Sequence, residues 1–173
     1  MYELYILGQL LYADRSAYKL RFILENILGA NRKVSFGVLY PLLEKMETAG
    51  TLMIIEDLDW RGKKKIHVTA AGRDRFLELM REPVKHNAHM DDIYLFKLNS
   101  LSLVDNNLAK KIMMDFREKK QAQRDRYTEN ISRLTLNHAD APFFKSALQA
   151  NKLQVVLANT YLDYVDMIES ELE

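Results

Sequence analysis

Four basic residues, Arg61, Lys63, Lys64 and Lys65, fall within five positions of a chain whose formal net charge is only +1 at pH 7. Such a cluster on an otherwise balanced chain suits the neutralisation of phosphates; its ordinary alternative is a solvated charged face. Arg32 and Lys33 form a second basic pair just ahead of the stretch S-F-G-V-L-Y-P-L-L-E-K-M, Ser35 to Met46. In that stretch Ser35 offers a hydroxyl to a phosphate or base edge, and Phe36 offers an apolar surface to a thymine methyl. Gly37 permits close backbone approach, and Tyr40 can reach a phosphate backbone. The alternatives are a plain helix N-cap for Ser35 and packing beside neighbouring strands for Tyr40.

Other chemistry is poorly represented. His86, His89, Asp91 and Asp92 are metal-ligand types, but two His at i, i+3 beside a linker read as solvent-exposed, and no metal site is expected. There are no cysteines, which excludes disulfides, thiolate metal sites and a Cys nucleophile and fits a reducing cytoplasm. No phosphate-cradling glycine loop and no nucleophile–base pair stands out, so neither enzymatic activity nor a cofactor is expected. Arg133 and His138 can pair with a carboxylate, and Tyr94 can stack on a ring; each is equally well a surface or core residue. Trp60 reads as packing at a strand end.

The elements that must position these residues follow from periodicity. The 173 residues, 48% of them hydrophobic, suit one large domain or two small ones. All six glycines fall in the first 72 residues and the rest of the chain has none. Short elements with frequent turns are therefore expected first and a few long helices afterwards, with a boundary near Pro83. The first part reads helix over about 2–12, helix after a Ser16 cap to Gly29, helix ending before Gly50, then strands over T-L-M-I-I-E-D-L-D-W and K-I-H-V-T around an Arg61-Gly62 tip. In the return strand Ile66 and Val68 alternate with Lys65 and His67, one face apolar and the other basic. A fourth helix spans about 70–81. This is the element order of a winged helix-turn-helix. Beyond Pro83, M-D-D-I-Y-L-F-K-L predicts a short helix. Ser102 with Asp105 resembles a capping box opening a long helix, and a final helix runs over about 143–172 with Leu153, Val156, Leu157, Thr160, Tyr164, Val165 and Ile168 on one side. Neither long helix can bury its stripe on a small neighbour alone, so a second subunit is expected. No apolar run reaches the roughly 20 residues of a membrane helix, and the apolar opening lacks the basic start of a signal peptide.

Within Ser35–Met46, Leu39, Leu42, Leu43 and Met46 mark one buried stripe, interrupted by Gly37 and Pro41. Two accounts are open: a short helix starting at Pro41, or a longer one from Ser35 that carries the proline inside it.

The stretch S-F-G-V-L-Y-P-L-L-E-K-M-E-T-A-G-T-L resembles the signature of PadR-type transcriptional repressors. The context matches as well: Y-I-L-G-Q-L-L at the start, Ser16-Ala17-Tyr18-Lys19-Leu20, and R-G-K-K-K-I-H-V-T-A-A-G-R. D-I-Y-L-F-K-L, S-L-V-D and the closing Y-V-D-M-I-E-S-E-L are similar to the longer, phenolic-acid-responsive branch. Ala17 replaces a usual glycine, R-G-K-K replaces the frequent G-R-P-R, and Met167 replaces a common tryptophan. The resemblance implies the longer, bent recognition helix and places Tyr18 near phosphate. It implies a mainly α (α+β) chain with a winged helix-turn-helix at 1–82 and a helical dimerisation and effector domain at 83–173. The expected partners are double-stranded DNA with an inverted-repeat operator, a second copy of the chain, and a small aromatic effector, with Tyr94, Arg133 and His138 as candidate ligand residues. The alternative function is a winged-helix protein-interaction scaffold without DNA binding.

Overall fold

A computed structural model of the chain describes residues 1–29, 31–57 and 63–172, with the backbone alone for Glu56, Asp57 and Lys63. The chain divides into two compact units, Met1–Asp105 and Asn106–Glu173.

The first unit has the winged-helix order: α1 (Tyr2–Tyr12), α2 (Ala17–Leu28), α3 (Phe36–Thr48), β1 (Leu52–Asp57), β2 (Lys63–Val68), α4 (Ala70–Arg81) and α5 (Met90–Asn99). Local chemistry sets most of these limits. The Ser16 hydroxyl accepts from the Lys19 N–H and starts α2, while Gly29 at φ 93° stops it in a backbone region that side chains avoid. Thr69 starts α4 by accepting from the Gly72 N–H at 3.0 Å. The strands pair antiparallel with Leu52 opposite Val68 and Ile54 opposite Ile66; Leu52, Ile66 and Val68 are buried, and Lys65 and His67 face outward. Met53 and Ile55, their cross-strand partners, are exposed as well. Arg15 pairs by backbone with Ile66, extending the hairpin by one bridge.

The core of this unit is Tyr5, Leu7, Leu20, Leu24, Leu39, Leu43, Phe76 and Phe96, each nearly sealed from solvent. Burial pushes the Tyr5 phenol above its ordinary pKa, and its hydroxyl donates to the Leu20 carbonyl at 2.6 Å. The segment after Pro83 belongs to this core. Phe96 packs its ring 5.5 Å from Tyr5, and Gln9 donates to Asn99 at 2.6 Å. Buried Lys97 donates to the carbonyls of Met80 (2.9 Å) and Glu82 (2.6 Å), closing the last turn of α4. The compact unit thus extends past the boundary expected near Pro83. The expected Ser102 cap also differs. A 3-10 turn occupies Leu101–Leu103, the Ser102 hydroxyl is spent on Tyr12 at 2.7 Å, and the long helix begins only at Asn106.

The second unit is the helix pair α6 (Asn106–Asn137) and α7 (Phe144–Glu171). Its buried apolar residues are Ala109, Ile112, Met113 and Phe116 of α6 with Ala158, Leu162 and Val165 of α7. Arg117 pairs with Asp166 and Glu169, both at 2.5 Å. Of the stripe expected on the last helix, only Val165 is buried; Leu153, Val156, Leu157, Thr160 and Tyr164 are exposed. Among the described residues no helix is long and apolar enough to cross a membrane.

Candidate nucleic-acid interface

The longer account of Ser35–Met46 is the one observed. α3 is continuous from Phe36 and carries Pro41 inside, with Leu39, Leu43 and Met46 buried. Ser35 is the N-cap residue by its backbone, since its carbonyl accepts from Val38 and Leu39, yet its hydroxyl makes no capping bond. The opposite face of α3 presents Ser35, Gly37, Val38, Tyr40 and Pro41 to solvent. A Cβ built on Gly37 would meet only the Ser35 Oγ, at 3.6 Å, so nothing inside the chain demands glycine there.

Phe36 is half-buried in a row of stacked groups. Its ring lies 5.3 Å from that of Tyr40 at 25°, and the Arg21 guanidinium sits 4.2 Å from its centroid and 5.8 Å from that of Tyr18. Contacts of this kind contribute about 0.5–1 kcal/mol each at exposed sites. Tyr18 at 63% and Tyr40 at 49% exposure flank the row. Arg21 is absent from the sequence-derived set; its position three residues after Tyr18 on α2 is the signal that would have found it.

Of the basic residues, Lys33, Lys64 and Lys65 are exposed. Arg61 lies outside the described residues, as do Gly62 and Trp60, and Lys63 is described by its strand pairing alone. Arg32 has an internal partner: its guanidinium holds both carboxylate oxygens of Asp92 on α5, at 2.5 and 2.6 Å. The Asp92 side chain is 8% exposed and that of Arg32 46%. Arg32 therefore braces the loop leading into α3, and a long-range carboxylate 60 positions away gave no local sign of it.

The bond from Arg32 holds the Asp92 carboxyl below the usual carboxylate range, with burial opposing and His89 assisting. A depressed folded-state pKa adds stability above the unfolded value near 4, and that stability is lost as pH falls through the folded value. Asp92→Asn is expected to cost about 1–3 kcal/mol at neutral pH. It should also flatten the acid limb of urea-unfolding stability measured from pH 7 to 3. Arg32 takes up both Asp92 carboxylate oxygens and His89 stands 3.6 Å away; among the described residues no group of three or more metal-ligating side chains gathers.

The chain matches no family model and no curated protein. It is similar to the solved structure of Bacillus subtilis PadR in complex with operator DNA, at 17% identity and TM-score 0.43, covering 99% of this chain and 98% of that one. A PadR-like transcriptional regulator from Bacillus cereus follows at 21% identity and TM-score 0.42, over 95% and 98% of the two chains. These structural neighbours are PadR-family regulators. The Vibrio cholerae virulence activator AphA is also similar, at 19% identity and TM-score 0.40 over 98% of this chain and 96% of that one.

The candidate ligand residues divide between the units. Arg133 and His138 line one cavity of about 450 Å³ in the turn between α6 and α7, with Asn130, Leu134, Phe143, Ala147 and Asn151. Arg133 donates to Asn130 at 2.8 Å, and the His138 ring lies 6.1 Å from Phe143. Tyr94 belongs to the first unit, where it is 1% exposed and serves the core.

Proposed function

We propose that the chain is a homodimeric, sequence-specific DNA-binding transcriptional regulator, a repressor released by a small aromatic acid. One observation carries the reading. A helix with a buried stripe turns its solvent face outward from a winged-helix unit whose Lys33, Lys64 and Lys65 are exposed beside an otherwise nearly neutral chain. The N-terminal turns of such a helix enter the major groove, its positive end favours phosphate, and basic wing residues neutralise the backbone. Tyr18, Ser35, Phe36, Gly37 and Tyr40 are the remaining contacts, with Arg32 acting through its brace on the loop. The DNA-binding module is residues 1–82, supported by the segment that follows it.

Dimerisation is assigned to residues 83–173. Leu153, Leu157, Thr160, Tyr164 and Met167 of α7 recur at i, i+4, i+7, i+11 and i+14 and are exposed in a single chain, the spacing of a helix seam awaiting a partner. A two-fold dimer reads an inverted repeat with half-sites roughly 34 Å apart. The effector belongs at the α6–α7 turn, where Arg133 and His138 can meet a carboxylate and Leu134 and Phe143 a ring.

Sedimentation of the full chain at micromolar concentration should give a dimer, and selection from a random palindromic duplex library should enrich an inverted repeat. Adding a phenolic acid should release that duplex from the unaltered protein and not from Arg133→Ala. Single chains together with an unenriched library would refute the reading in favour of a scaffold.

A further inference from the structure

The solvent face of the first two turns of α3 has an unusual chemical inventory. From Ser35 to Pro41 the residues are Ser, Phe, Gly, Val, Leu, Tyr and Pro, with no charged or amide side chain among them. Leu39 is buried, and Phe36 is engaged between Arg21 and Tyr40. Exposed on this face is Val38, at 50%, with Pro41 three residues on and the open Cα of Gly37 beside it; Ser35 and Tyr40 are exposed too, each offering a single hydroxyl and no bidentate fork.

Recognition of guanine or adenine in the major groove runs chiefly through bidentate partners, Arg or Lys for guanine and Asn or Gln for adenine. None is present on these turns. The major-groove feature that an apolar side chain reads is the C5-methyl of thymine. We propose that Val38 is a specificity-determining residue that packs on a thymine methyl, so that each half-site is selected for thymine by shape and apolar contact in place of a hydrogen-bonding fork. Pro41 extends the apolar patch by its ring. Gly37, having no Cβ, lets the neighbouring base edge come close enough for Val38 to touch. The proposal rests on the DNA-binding reading above and adds the base that this helix selects.

The test uses the full chain and the tightest duplex recovered from a random palindromic library, resynthesised with deoxyuridine in place of thymidine one symmetric pair of positions at a time. Deoxyuridine removes only the methyl group and keeps the base pair. At one symmetric pair the affinity should fall by roughly fifteenfold, the two-site product of about fourfold per buried methyl. Val38→Ala should weaken binding to the thymidine duplex by a similar factor and abolish the penalty at that same pair. Val38→Thr, nearly the same shape, should retain part of the preference. Val38 is away from the core, and far-ultraviolet circular dichroism checks that each variant is folded. A deoxyuridine penalty under twofold at every position, or one that persists undiminished in Val38→Ala, overturns the assignment while leaving DNA binding intact. If the library enriches no duplex at all, the DNA-binding reading fails and takes this assignment with it.

Discussion

Replacing Lys63, Lys64 and Lys65 together by alanine is expected to weaken operator binding by at least about a hundredfold near physiological salt and, with six lysines removed per proposed dimer, to lower the salt slope by about 5.4. Each lysine that neutralises a phosphate releases a counterion, contributing about 0.9 to the slope of log affinity against log salt. The loss should therefore be nearly uniform across duplex sequences, unlike the base-specific loss expected at Val38. Lys64 and Lys65 are exposed on β2, so the triple variant should stay folded, which thermal unfolding checks. Fluorescence anisotropy titrations from 50 to 300 mM salt measure both quantities. An unchanged slope would remove the wing from the interface and return the cluster to its ordinary role as a solvated face.

Gly72→Ala is expected to destabilise the first unit by about 3 kcal/mol, against a helix propensity that favours alanine by about 1 kcal/mol. A Cβ at that position would overlap the Thr51 carbonyl oxygen and stand 2.8 Å from the Val68 side chain. The carbonyl is held in place because it accepts from the Thr69 N–H at 3.2 Å, and Thr69 also donates to Gly50 at 2.6 Å. Relief would require α4 to move away from the turn that precedes β1. Gly37→Ala is the internal control, since its Cβ meets only one atom in ordinary contact. Its stability should be unchanged or raised by up to about 1 kcal/mol. The same substitution in helices α3 and α4 thus has opposite effects, readable from urea midpoints.

The parts of the fold that were legible in the sequence are those governed by neighbours in the chain. Ser16, Gly29 and the alternation around Ile66 act over a few residues, so caps, stops and strand faces could be read directly. The Ser102 expectation failed for the opposite reason: its hydroxyl is taken by Tyr12, a partner 90 positions away. A basic residue ahead of α3 carries no local hint of Asp92, so the brace made by Arg32 is not legible in the sequence, and neither is the burial of Tyr94. Val38, an apolar residue between a glycine and a buried leucine, looks like core until the helix phase is fixed. Pro41 left that phase open between two accounts, and the continuous α3 resolves it.

The bonds linking α5 to the elements before it bear on how this polypeptide can be dissected. A fragment ending at Pro83 would discard Lys97, Asp92, Asn99 and Phe96 together. It would leave the terminal carbonyls of α4 without their ammonium donor, the Arg32 fork empty and an aromatic gap beside Tyr5. The smallest self-sufficient form of the first unit therefore ends near Asp105, and grafting it onto a different scaffold calls for a junction there.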